Sequence, residues 1–173
     1  MFTKSSEISN ETFVGQKALR LKELQEAGFL VPDFEVLTTS VVAEVLKKIE
    51  NKHDFINEEI NITLTEPYAV RSAALAEDGK ERSNAGKFKT ILAVDKSNLL
   101  KSTIEVALDA REKLGGAGDF SIIVQEFIDA DYSGVIFSRN PLGGMEMVLE
   151  YNQGLGESVV GGEKVSRAYR RYF

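Results

Sequence analysis

Ser121-Ile122-Ile123-Val124-Gln125-Glu126-Phe127-Ile128 is the stretch on which the fold class turns. Upstream of it, apolar residues recur at helical spacing. From it onward they run together or alternate with period two, as in strands. The octet reads as one strand, Asp129-Ala130-Asp131 as a turn, and Ser133 to Ser138 as its hairpin partner. Met145 to Tyr151 reads as a further strand, and Asn152 to Gly162 as a glycine-rich loop. Helices early and an antiparallel meander late predict an α+β fold.

Working back from the octet, Ser97 is placed to cap a helix on which Leu100, Ile104, Ala107, Leu108 and Arg111 share a face, with Gly115-Gly116 as its stop. Ile91 to Val94 and Tyr68 to Arg71 read as short strands, the second ending as Arg71 opens a turn of small residues. Thr39 or Ser40 caps an earlier helix with Val42, Val45, Leu46 and Ile49 on its apolar stripe. Phe34 to Leu37 is a strand. Gly15 to Gly28 is a helix with Ala18, Leu21 and Leu24 on one face, ended by Gly28 and kept from resuming by Pro32. Asn51 to Glu66 is polar and irregular apart from Ile60 to Leu64.

The composition narrows the function classes. With 173 residues and 43% hydrophobic, the chain can bury a core as one domain or as two small lobes, about 1–120 and 121–173. A formal charge of −6 disfavours nonspecific nucleic-acid binding. No apolar run approaches membrane-span length, and no signal-peptide stretch opens the chain. Without cysteine there is neither a disulfide framework nor a thiolate metal site, so a cytoplasmic location is expected. A single histidine, His53 in a polar region, argues against multi-histidine metal sites and a Ser-His-Asp triad.

Five segments carry candidate chemistry, each with a plain structural alternative. Lys17, in Gly15-Gln16-Lys17 at a helix start, is placed to reach a phosphate or to be a solvated lysine of an amphipathic helix. Arg71 cannot lose its charge. With Ser72, and with Gly86 and Lys87 in the loop Ser83 to Thr90, it suits a polyphosphate; the alternative is a strand end before a polar loop. Gln125 and Glu126 turn an apolar strand polar, as at a hinge whose backbone reads a purine edge while Phe127 and Ile128 pack on the ring; the alternative is an edge strand. Arg139, past the end of Ser133 to Ser138, is a second phosphate clamp or a turn-flanking arginine. Glu150 and Glu157 face a magnesium–phosphate group or simply flank a glycine turn.

Together and in this order, the segments resemble the N-terminal nucleotide-binding domain of phosphoenolpyruvate synthase and pyruvate phosphate dikinase; rifampicin phosphotransferases look similar in the same region. Val70-Arg71-Ser72-Ala73-Ala74-Leu75-Ala76-Glu77-Asp78 and Ser133-Gly134-Val135-Ile136-Phe137-Ser138-Arg139-Asn140-Pro141 match the family's motifs over their length. Gly28 to Pro32, Ala85 to Thr90, Val124 to Ile128 and Gly154 to Glu157 follow them, and Gly15-Gln16-Lys17 replaces a family glycine with Gln16. The resemblance implies a shortened ATP-grasp-like domain that binds ATP with Mg²⁺. Lys17, Arg71 and Arg139 would stand at the phosphates and Gln125 to Ile128 at the adenine. It also implies phosphoryl transfer to a histidine phosphocarrier domain, with a phosphoenolpyruvate/pyruvate domain in cis or in trans.

The departures shape the expectation. The family's acidic Asp-x-Glu-Trp strand, which supplies metal ligands, and its later Gln-x-Arg-Pro are not in this sequence, nor is a phosphoacceptor histidine motif. The expectation is therefore one partial domain over 1–173, inactive as a catalyst alone. The alternative from another class is a noncatalytic nucleotide-binding or protein-interaction module derived from the same fold.

Overall fold

The structure, a computed structural model, describes residues 2–8, 13–52, 60–75, 88–116, 119–140, 143–156 and 167–171. The chain divides into two compact units, Met1–Phe127 and Ile128–Phe173.

The first unit is built on an antiparallel sheet of five strands: β1 (Thr3–Lys4), β2 (Phe34–Leu37), β3 (Tyr68–Ala74), β4 (Thr90–Val94) and β5 (Phe120–Glu126), ordered β1-β2-β5-β3-β4. Strand β5 pairs with β2 on one side and β3 on the other, with Val36 opposite Ile123 and Arg71 opposite Ile123. A strand flanked on both sides and covered on both faces must be apolar nearly throughout, which is why Phe120 to Val124 reads as an unbroken apolar run but for Ser121.

Alternation along these strands sorts side chains to two faces. Leu37, Tyr68, Val70, Ala74, Phe120, Ile122 and Val124 join one core with Val42 of α2 (Thr39–Glu50) and Val106, Ala107 and Ala110 of α3 (Leu99–Lys113). Phe34, Val36, Ala73 and Ile123 join the other with Val14 and Ala18 of α1 (Gly15–Glu26). Arg71 and Gln125 share the α1 face by the same alternation, since Gln125 lies opposite Phe34 and Ala69.

The α+β class is as expected, and several local readings are corrected. Arg71 does not open a turn: β3 continues through Ala74. Strand β5 is central rather than at an edge, and its partner is not the strand that follows, because β5 is already paired on both sides. Helix α3 begins at Leu99 after a 3-10 turn at Lys96–Asn98. Its buried stripe is Leu99, Ser102, Thr103, Val106, Ala107 and Ala110, one step round from the expected one, which leaves Leu108 exposed. Small residues let the helix lie close on the sheet, a preference that hydrophobicity counts miss. Position Thr38, not Thr39 or Ser40, precedes α2. Leu24, near the end of α1, is exposed. Ile60, Ile62 and Leu64 pack against the α2/α3 core without joining the sheet.

The second unit is a three-stranded antiparallel sheet, β6 (Tyr132–Phe137), β7 (Met147–Gln153) and β8 (Arg167–Arg171), in that order. Strand β6 thus pairs with β7, Val135 opposite Glu150. Strand β8 was not anticipated from the sequence. Gly134 has no alternative residue: a Cβ there would come within 2.5 Å of the Glu150 carbonyl oxygen and 2.8 Å of the Tyr151 Cβ. Among the described residues, no helix is long and apolar enough to cross a membrane.

Candidate functional site

The α1 face of the first unit brings Lys17, Arg71 and Gln125 to neighbouring positions. The entry to α1 is fixed by two features. Gly15 has a φ of +75°, and a Cβ on it would stand 2.9 Å from the Ala73 carbonyl oxygen. Ser121 Oγ donates to the Val14 carbonyl. With the helix start held against β3, Lys17 Nζ donates to the Ser72 carbonyl at 3.3 Å. Strand β4 pairs with β3 only as far as Arg71 opposite Thr90, and the ammonium takes the next carbonyl along.

Arg71 is half-buried in the middle of β3, its terminal guanidinium nitrogen donating to Gln125 Oε1. Its Nε is buried, without a hydrogen-bond partner among the described residues. Burial holds its pKa below the ordinary arginine value, because the low-dielectric surroundings penalise the charged form. Among the described residues no carboxylate forms an ion pair with it. Among the described residues the guanidinium thus meets a neutral amide, and the Lys17 ammonium bonds to the carbonyl of the next residue along β3.

Thr90, at the end of the small-residue loop, returns to lie opposite Arg71. Gly86 and Lys87 of that loop lie outside the described residues, as do Glu157 and His53. Ser72 has its side chain on the other face of the sheet, buried, with its Oγ unpartnered among the described residues. Its carbonyl, not its hydroxyl, is the atom on the Lys17 side.

The hinge segment is tied down from two directions. Glu126 N–H donates to the Asp33 carbonyl and Phe127 N–H to the Pro67 carbonyl, both at 2.9 Å. Glu126 Oε1 accepts from Thr65 N–H at 2.8 Å. Gln125 is buried, and its Nε2 donates to the Pro32 carbonyl at 2.9 Å. The amide protons at 126 and 127 are therefore engaged within the protein. Phe127 is half-buried and Ile128 exposed. Sequence reasoning missed the supporting residues Pro32, Asp33, Thr65 and Pro67, whose carbonyl and amide groups meet this segment from distant parts of the chain.

In the second unit, Arg139 is exposed in the turn after β6. That turn is braced by Asn140 Nδ2 donating to Glu146 Oε1 at 2.7 Å. Glu150 is half-buried on β7. Among the described residues there is no group of three or more His, Cys, Asp or Glu side chains arranged to hold a metal ion.

The chain matches the family model described as pyruvate phosphate dikinase, AMP/ATP-binding domain, over residues 21–171. It is 32% identical over 112 residues to the prodigiosin synthesizing transferase PigC of Serratia marcescens, covering 58% of this chain and 13% of that protein. It is 26% identical over 197 residues to the uncharacterized phosphotransferase YvkC of Bacillus subtilis (strain 168), covering 94% of this chain and 24% of that protein. It is 32% identical over 139 residues to the phosphoenolpyruvate synthase of Pyrococcus furiosus, covering 71% of this chain and 16% of that protein. The chain thus spans between 13% and 24% of the length of these relatives.

Proposed function

This chain belongs to the pyruvate phosphate dikinase AMP/ATP-binding domain family, and from that premise we propose that it binds ATP as the nucleotide-binding part of a phosphoenolpyruvate synthase- or dikinase-like phosphotransferase. The observation that carries the reading is Arg71: a half-buried arginine whose buried Nε has no hydrogen-bond partner and which has no carboxylate partner among the described residues, with Lys17 bonded to the next carbonyl along its strand. A polyphosphate supplies the negative charge that no described carboxylate gives to Arg71.

In this reading Arg71 and Lys17 contact phosphate oxygens, and Gly86 and Lys87 belong to the same loop-borne set. The chemistry required is positioning and charge stabilisation, since phosphoryl transfer needs little covalent help from protein groups. Phe127 and Ile128 contribute apolar surface for the base beside Glu126. Arg139 and Glu150, each in the second unit, are proposed as a phosphate contact and a Mg²⁺ ligand. One or two carboxylates suit Mg²⁺, which takes its remaining oxygens from phosphate and water; Glu157 is the second candidate. The phosphoryl acceptor would be a histidine of a phosphocarrier domain, in cis or in trans, with phosphoenolpyruvate or pyruvate handled by a further domain. A cytoplasmic location, where ATP is available, goes with this reading.

Calorimetric titration with Mg–ATP and AMP tests it. Binding by the wild type, weakened roughly 30-fold or more in Arg71→Ala, is the expected result, since losing one partner of a buried charge pair costs about 2 kcal/mol or more. No binding of either nucleotide at millimolar concentration overturns it in favour of a noncatalytic interaction module.

A further inference from the structure

The geometry points to Gln125 as a positioning residue for the Arg71 guanidinium, acting on the phosphate end of the ligand rather than on its base. The inference rests on the ATP-binding reading above and departs from it in where Gln125 acts.

Gln125 and Arg71 are diagonal neighbours across β5 and β3: Gln125 lies opposite Ala69, two residues before Arg71 and on the same face. The amide is used at both ends. Its Oε1 accepts from Arg71 and its Nε2 donates to the Pro32 carbonyl at 2.9 Å. Only one orientation of the amide satisfies both partners, because a guanidinium can only donate and a carbonyl can only accept. At 3% exposure the side chain has no face left for a purine.

The choice of a neutral acceptor has a consequence for charge. An amide fixes the direction of the guanidinium and leaves its charge uncancelled, available to an anion. A glutamate at the same place would pair with Arg71, neutralise it, and turn an acceptor toward the Pro32 carbonyl. A methionine would fill the volume but leave Arg71 without an aim. Gln125 therefore orients the group without competing with phosphate for it.

The test compares Mg–ATP with adenosine, which lacks phosphate, by calorimetry or NMR shift titration on the full chain. For Gln125→Glu, ATP binding is expected to weaken about tenfold or more while adenosine binding is unchanged. Gln125→Met should weaken ATP binding by a smaller factor, again sparing adenosine, and carries the test if the charged variant does not fold. In an Arg71→Met background, Gln125→Glu should cost nothing further, since contacting residues that act through one another are not additive. A general structural role would not produce that non-additivity. Parallel loss of ATP and adenosine overturns the proposal and assigns Gln125 to the base. An unchanged ATP affinity, or full additivity with Arg71→Met, also overturns it. Those outcomes leave the ATP reading standing, whereas absence of ATP binding by the wild type sinks both.

Discussion

The two faces of the five-stranded sheet are made by alternate residues of the same strands, yet they do different work. Toward α2 and α3, Tyr68, Val70, Ile122 and Val124 are sealed in the larger core. Toward α1, the same two strands present Ala73, Ile123, Arg71 and Gln125, and the smaller core there gives way to a polar network. Strand periodicity lets β3 and β5 act as scaffold on one side and carry the proposed phosphate-binding residues on the other. A charge on such a strand inherits the rigidity of the core behind it, which favours precise placement of a binding group.

That division is broken if neighbouring positions give the same phenotype. Ile122 is 1% exposed, and Ile122→Ala should destabilise the fold by about 3 kcal/mol, from lost transfer energy and a residual cavity. Arg71→Ala, across the sheet, should cost less than about 1 kcal/mol of folding stability, because the desolvation of a buried charge offsets much of what its bonds contribute. Urea denaturation with an unchanged m-value measures both. A loss of several kcal/mol in Arg71→Ala would make the arginine part of the core and weaken its assignment to a ligand.

The helix that covers the Arg71 face of the sheet depends on one glycine. Gly15→Ala places a Cβ 2.9 Å from the Ala73 carbonyl oxygen in a backbone with φ of +75°. The expected cost is about 2 kcal/mol, combining left-handed strain with that close approach. The same urea experiment reads it. A further expectation is that Lys17 loses its bond to the Ser72 carbonyl as the helix start shifts, so that ATP binding falls along with stability. Unchanged stability would show that α1 docks less tightly than this contact requires.

The sequence displayed the sheet's strands better than their partners. Phe34 to Leu37 was legible to the residue, because a short β-rich run is bounded by Pro32 and Thr38. The strand character of β5 was legible in its apolar run, but its central place was not, because a local pattern carries no record of which strands lie beside it. The pairing of β5 with β2 and β3 spans about 90 and 50 residues of chain, as the bonds of Gln125 to Pro32 and Arg71 do. The charge of Arg71 and its small neighbours were readable as a candidate anion site. That its partner is Gln125 was not, because the two meet only diagonally across strands distant in sequence. Ser72 shows the same limit from the other side: its place next to Arg71 suggested a shared site, and alternation sends its hydroxyl to the opposite face.

The smallest expected effect concerns that opposite face. Ser72 Oγ and Thr103 Oγ1 are both buried without a hydrogen-bond partner among the described residues, Ser72 on β3 and Thr103 on α3. Valine has nearly the shape of threonine. Thr103→Val should therefore stabilise the fold by up to about 1 kcal/mol, since it removes a hydroxyl that left water without a replacement bond. If the variant instead loses about that much, a buried water bonds to the hydroxyl, as is common for otherwise unpartnered polar groups in protein interiors. The first outcome means that the Thr103 hydroxyl contributes nothing to the α2/α3 face, whose stability then rests on its apolar packing. The second gives it a small polar centre and narrows the contrast with the face that carries Arg71.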